Sequence, residues 1–338
     1  MAMLASLGVR EEDAEVVVET VVTGSLRGID SHGVRALIPI ISGKPHVGRY
    51  RPGTEMQILK ETPAMAILDA CHTYGPISTS KAMEIAIAKA RDVGIGLCAV
   101  TNGSWIVNLF HYSMIAVKQD MIGSTLARDS ICGSPYGGTK PVTGTNPLSI
   151  GIPAGSKNVA VVLDIATLKA AQGHVATLLL EGAPLPEGWL IDRHGRPVKG
   201  HDISVEDLDE FWKTGGSLVP FGRHKGYGIN LAIEILCGAL PLMGVGARSR
   251  GQGVLTMAID ISKFLPVEDF KAEVDYLIRE IKTSPLRPGF KEIRYPGERA
   301  FQCERRRKRE GIPIDEISWQ KMSKLCYELG VDITGIMR

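Results

Sequence analysis

The chain has 338 residues, 44% of them hydrophobic and 22% charged, with 39 basic and 37 acidic side chains for a net charge of +2. Such a balance excludes a bulk electrostatic case for nucleic-acid or membrane binding, and the length favours two domains with a large core and no need of staples. No apolar run reaches about 18 residues, and the six scattered cysteines form no C-x-x-C pair, which fits reduced thiols in a cytoplasmic protein better than a disulfide frame or a zinc site.

The start, MAMLASLGVREEDAE, lacks a signal-peptide pattern, and its acidic run argues against a transit peptide. Residues 10–27 read as a helix with acidic residues in its first turn, where the helix dipole favours them. The chain then passes Gly28 into Asp30-Ser31-His32-Gly33. His32 is a candidate acid or base, because imidazole titrates near neutrality. A capped helix end with a solvated histidine is the simpler reading of the local sequence. Residues 43–55 are rich in Gly and Pro and read as a loop or linker.

After Pro63 the texture changes. Strands are predicted at 65–70, 96–101, 121–127, 147–152, 159–166 and 255–260, and helices at 81–92 and 107–119. Interleaved helices and strands imply α/β layers. Helices return at about 266–282, 298–310 and 315–329. The expected fold is a central non-Rossmann mixed-sheet α/β domain, residues 63–265, beside a helical domain built from both chain ends, residues 1–62 and 266–338. Residues 94–99 match the dinucleotide pattern G-x-G-x-x-A, but here the pattern follows a helix and opens a strand, the reverse of a nucleotide-binding turn. It reads as a helix C-cap. The basic run Arg305 to Arg309 lies between Glu304 and Glu310 and reads as a solvated helix face.

Residues 221–240, FGRHKGYGINLAIEILCGAL, carry His224 and Lys225 from a glycine turn into a helix that is apolar almost all round. Such a helix is expected to be buried on most sides. Its N-terminus, with unpaired N–H groups and Lys225, suits an anion such as a phosphate or carboxylate. A solvated lysine at an ordinary helix start is the plain alternative.

Six motifs then occur in order: Gly28-Ile29-Asp30-Ser31-His32-Gly33-Val34, Gly144-Thr145-Asn146-Pro147, Asp164-Ile165-Ala166-Thr167, Leu185-Pro186-Glu187-Gly188-Trp189, Lys225-Gly226-Tyr227-Gly228 and Pro296-Gly297-Glu298. Together, from about Gly8 to Ile333, they resemble the malate/L-lactate dehydrogenase family of NAD(P)-dependent oxidoreductases, which also holds sulfolactate and ureidoglycolate dehydrogenases and cyclic-imine reductases. The resemblance implies a homodimer, NAD or NADP as cofactor, and hydride transfer at C2 of a 2-hydroxy or 2-oxo acid. It implies cofactor contacts at Asp164, Ile165, Ala166, Thr167 and Leu168, at His224 and Lys225, and at Gly297 and Glu298. It makes His32 the proton donor and places Ser31, Thr145 and Asn146 on the substrate side. The chain starts about one helix later than the family pattern.

Departures from that pattern cluster around the substrate. Trp105 stands where the family has a second active-site histidine, Ala36 where it has a substrate-binding arginine, and Ile40 where it has a tyrosine. Arg35 and His111 are candidate displaced substitutes, and Trp105 becomes a candidate substrate contact. Leu168 and His174 replace the last Ser of the D-x-A-T-S motif and the Lys of the following Gly-Lys pair. Two expectations follow: a dehydrogenase with an altered substrate pocket, or a catalytically weak paralogue that keeps the fold and cofactor site as a binding protein.

Overall fold

A computed structural model describes residues 1–52, 54–200 and 202–333. The helices are α1 (Ala2–Ser6), α2 (Glu11–Leu26), α3 (Leu37–Ile41), α4 (Gly75–Val93), α5 (Phe110–Val117), α6 (Gln172–Leu180), α7 (Leu208–Lys213), α8 (His224–Glu234), α9 (Val267–Thr283), α10 (Glu298–Glu310) and α11 (Glu316–Glu328). The strands are β1 (Gln57–Glu61), β2 (Met65–Asp69), β3 (Ile95–Gly103), β4 (Met121–Ala127), β5 (Leu148–Ile152), β6 (Val161–Ile165), β7 (Leu190–Ile191), β8 (Ser217–Leu218) and β9 (Gln252–Asp260).

Seven strands form one mixed sheet in the order β1-β2-β3-β9-β4-β5-β6; β1 runs antiparallel to β2, and β2 parallel to β3. The parallel pair needs a crossover, and α4 supplies it. That helix ends where Gly94 adopts φ +94° and returns its N–H to Ala90 O at 2.7 Å, and Ile95 opens β3 directly. The G-x-G-x-x-A run is therefore a helix stop. β7 and β8 make a separate antiparallel ribbon.

The chain divides into two compact units: 1–125, 149–164 and 256–338 in the first, and 126–148 and 165–255 in the second. These boundaries differ from the expected cuts at 62/63 and 265/266. The terminal helix α2 packs on α4 and α5, so the N-terminal helices share a unit with the strands and helices that follow them. In the first unit Val17, Val21, Ala36, Ile40, Tyr74 and Ile77 belong to one buried cluster. Leu168, Val175, Leu190, Leu208 and Leu218 centre the second unit's core.

Helix α8 and its π-helical continuation Ile235–Ala239 differ from the sequence expectation. Burial on most sides was expected, yet Ile229, Leu231, Ile235, Leu236, Leu240 and Leu242 are exposed in the single chain. The inward stripe is Gly226, Asn230, Ile233, Glu234 and Cys237. Beyond its first turn the helix thus turns Asn230 and Glu234 inward and an apolar face outward. Inward polarity is tolerable only if satisfied. Glu234 accepts from Arg128 Nε at 2.9 Å, from Asn146 Nδ2 at 2.8 Å and from Gly246 N at 2.9 Å. Asn230 Nδ2 donates to Gly144 O and Thr167 Oγ1.

All six cysteines are free. Burial pushes the Cys98 and Cys237 thiols up to about 12, so both are unreactive core side chains at neutral pH.

Candidate active site

His32 sits in a short 3₁₀ turn, Asp30–His32, just after α2. Two features hold that turn. The Arg307 guanidinium from α10 grips both Asp30 carboxylate oxygens and also donates to Ser25 O. Gly33 packs so closely on α2 that a Cβ there would fall 2.0 Å from Ser25 Oγ, and that hydroxyl accepts from Val34 N. Any side chain at position 33 would push the His32 turn off α2. The basic run on α10 is therefore partly structural, which corrects its reading as a solvated face. Its spacing of acidic and basic residues gave no sign that one arginine reaches back to residue 30.

The Ser31 hydroxyl and His32 Nδ1 are 2.8 Å apart. With Ser31 donating, the proton of the neutral ring lies on Nε2. The His32 ring lies 5.9 Å from the Trp105 ring, and the His46 ring packs edge-on to the same indole at 5.7 Å. Trp105 N also donates to His46 O. Trp105 thus packs against two imidazoles, of which His46 had no motif to announce it.

The substituted positions have become core. Ala36 and Ile40 are both 2% exposed, in the cluster on which Trp105 packs. Ile40 lines a cavity of about 730 Å³ with Ile41, Leu7 and Tyr74, and Arg49 and Arg51 also line it. Arg35 pairs with Asp315, the N-cap of α11, at 3.6 Å, so its guanidinium already has a carboxylate partner. His111 lies on α5, 6% exposed, where burial pushes its pKa down to about 4. It is a neutral core histidine and a poor substitute for a lost acid.

Asp164 accepts the Phe110 N–H at the start of α5, at 3.0 Å. Burial drives its carboxyl group up to about 7 against the lowering effects of that hydrogen bond and of Arg27. Arg27 is stacked between the Phe110 and Phe301 rings at 4.5 and 4.1 Å and paired with Glu304. Gly297, at φ +91°, caps α10 and lies so close to Val162 that a Cβ would come 3.1 Å from its backbone nitrogen. Glu298 binds Lys282 at 2.7 Å and accepts from Tyr295 N.

His111 and Asp164 give opposite pH dependences of stability. The folded pKa of His111 lies below its ordinary 6.5, so its contribution is full above pH 6.5 and is lost as pH falls through about 4. Asp164 lies above its ordinary 3.8, so its contribution is full below pH 3.8 and is lost as pH rises through about 7. At about 1.4 kcal/mol per unit, each is worth about 3 kcal/mol between pH 4 and 7, and the two nearly cancel. Urea titrations at both pH values should show His111→Asn gaining stability on acidification and Asp164→Asn losing it. Parallel responses of the two variants would contradict these environments.

In the second unit, Thr145, Asn146, Thr167 and Leu168 form a framework under α8. Thr145 Oγ1 donates to Asp129 at 2.9 Å. Asn146, fully buried at φ +39°, spends its amide on Asn230 O and Glu234. Thr167 Oγ1 donates to the carbonyls of Thr145 and Asn146, and Leu168 is 2% exposed in the core. The side chains of these four residues face protein. Ile165 and Ala166 are half-buried. His224 and Lys225 are exposed in the first turn of α8, so this helix end is accessible, not deep. Its donor set of first-turn N–H groups, an ammonium and an imidazole suits the phosphates of a dinucleotide. Arg128, Asn230 and Glu234, which fix this end, escaped the sequence reading because no local pattern distinguishes them from other helix and strand residues.

The model of the family described as malate/L-lactate dehydrogenase matches residues 1–323. The chain belongs to that family. It is 32% identical to the malate/(S)-sulfolactate dehydrogenase of Methanothermus fervidus, over 98% of this chain and 96% of that protein. It is 34% identical to the L-sulfolactate dehydrogenase of Methanocaldococcus jannaschii, whose solved structure superposes with a TM-score of 0.85 over 98% of this chain and 95% of that one. The malate dehydrogenase structure from Pyrococcus horikoshii gives a TM-score of 0.82 at 29% identity, over 98% and 92% of the two chains. This member of the malate/L-lactate dehydrogenase family is an oxidoreductase of the hydroxy-acid class, acting on a CH–OH group, and dehydrogenases of the family use NAD or NADP. Among the described residues no cluster of three or more metal-ligating side chains occurs, and no helix is long and apolar enough to cross a membrane.

Proposed function

We propose that the protein interconverts a 2-hydroxy and a 2-oxo acid of malate or lactate type, with a substrate pocket altered towards apolar side chains. The observation that carries this reading is the Ser31–His32 pair in a clamped turn beside Trp105, with Ala36 and Ile40 turned into core. When bound, the nicotinamide supplies or accepts the hydride. His32 holds the proton that the substrate oxygen gains or loses, and Ser31 orients the ring through Nδ1. Lys225, His224 and the first turn of α8 hold cofactor phosphate, and Gly297 keeps the α10 start close to the backbone of β6 at a third cofactor contact. With Arg35 paired to Asp315, the substrate carboxylate takes its cation from Arg49 or Arg51 beside the Ile40 cavity. A panel of 2-oxo acids and cyclic imines, assayed with NADH and NADPH at the nicotinamide absorbance, tests this. Turnover of an apolar 2-oxo acid above that of oxaloacetate is expected, and turnover of none of them would remove the reading.

The outward apolar face of α8 supports a homodimer. Six large apolar side chains along Ile229 to Leu242 exceed what a monomer scatters singly over its surface. Sedimentation at micromolar concentration should give a dimer for the native chain and a folded monomer for Ile235→Glu. A native monomer would refute the assignment of this face.

A further inference from the structure

A second group of cations lies in the second unit, where Lys169 joins Arg223, the N-cap of α8. Residues 167–169 run antiparallel to 219–221: Lys169 N donates to Val219 O at 2.9 Å, Phe221 N donates to Thr167 O at 3.2 Å, and Leu168 bridges Pro220. This pairing brings Lys169 beside the stretch that leads into Arg223. Both side chains line one open cavity of about 250 Å³, together with Ser134, the turn Pro135-Tyr136-Gly137-Gly138, Ile191 and Pro220. No carboxylate lines it. The Lys169 ammonium reaches Gly188, where a Cβ would stand 3.5 Å from Nζ. Arg223 adopts φ +60° with ψ −128°, a conformation that a non-glycine residue rarely takes. Tyr136 is 53% exposed and its ring stands 6.1 Å from that of His224.

We infer that this pocket receives the phosphate on the adenosine ribose of the cofactor, so that the protein selects NADPH over NADH. The inference rests on the dehydrogenase reading given above. Size limits the occupant: drug-sized ligands fill about 300–1,000 Å³, so a cavity of this volume holds a phosphoribosyl fragment and not a whole dinucleotide. Charge narrows it further. A terminal phosphate monoester carries close to two negative charges at neutral pH and is matched by an ammonium and a guanidinium together, whereas each phosphate of a diphosphate bridge carries one. The α8 N-terminus with Lys225 suffices for the bridge. Tyr136 offers an exposed aromatic face for the neighbouring base, and Gly137 and Gly138 let the backbone approach a sugar closely.

Calorimetric titration of the full chain with NADPH, NADH, adenosine 2′,5′-bisphosphate and adenosine 5′-monophosphate tests the inference on the native protein, Lys169→Ala and Arg223→Gly. Lys169 is exposed, and glycine relieves the backbone at 223, so both variants keep the fold. NADPH should bind at least about tenfold more tightly than NADH, and the bisphosphate more tightly than the monophosphate. Each variant should weaken NADPH and the bisphosphate by about tenfold while leaving NADH within about threefold. Equal binding of the two dinucleotides, a preference for NADH, or equal losses for both in the variants would overturn the selection of NADPH and leave the dehydrogenase reading standing. Failure of either dinucleotide to bind at millimolar concentration would remove both.

Discussion

Replacing His32 by alanine is expected to lower turnover by about 10²–10⁴, the usual worth of a positioned acid or base. Cofactor affinity should stay nearly unchanged, because the proposed phosphate contacts are on α8. The effect rests on geometry: Arg307 and Gly33 hold the turn, Ser31 holds the ring, and Trp105 occupies the place of the family's second histidine, so no other imidazole of the pattern remains to share the role. His46, whose ring packs on the same Trp105 indole, is the alternative. A His32→Ala protein within tenfold of native turnover, together with a large loss in His46→Ala, would transfer the role to His46. The acid limb of the pH–rate profile should vanish with whichever histidine carries the proton.

The second large effect is on stability. Arg128 and Glu234 form an ion pair at 2.9 Å with side chains 2% and 4% exposed. Arg128 also donates to Gly251 O, and Glu234 also holds Asn146 and Gly246. Arg128→Ala strands a buried carboxylate and should cost about 3–5 kcal/mol. In a chain of this length that is a fall in Tm of roughly 4–7 °C by calorimetry. Arg128→Met combined with Glu234→Leu removes both charges and should recover part of the loss, the remainder reflecting the Asn146 and Gly246 N–H groups left without their acceptor. A single variant as stable as the native chain would mean that water reaches the pair.

The same pair shows where sequence reasoning stops. Period and composition carried the strands at 121–127 and 148–152 and the helices at 267–283 and 298–310 to within a residue or two, since each is a strongly patterned run. They missed β1, whose five residues are all exposed, and α6 in the second unit. Helix α8 misled for a physical reason. An apolar surround normally means burial within the chain, whereas here the polar Asn230 and Glu234 go inward to tie Gly144, Asn146 and Thr167 together, and the apolar residues go outward. Only the partners of Asn230 and Glu234, distant in sequence, reveal that inversion. Motif order gave the family and marked His32 as a candidate. It did not show that the side chains of Asn146, Thr167 and Leu168 serve packing and internal hydrogen bonds. Ala36 shows the converse. Its replacement of a substrate-binding arginine is visible in the sequence, but the buried apolar setting that makes Ala36→Arg a costly reversal is not.

The central claim is hydride transfer to C2 of a 2-oxo acid. The most direct measurement incubates the protein with reduced cofactor deuterated at nicotinamide C4, separately for each face, and analyses the hydroxy acid product by mass spectrometry. The expected result is one deuterium at C2 from one face only, at a rate that falls by about 10²–10⁴ in His32→Ala. Unlabelled hydroxy acid from both forms of the cofactor, or no product from any 2-oxo acid in the panel, would contradict it.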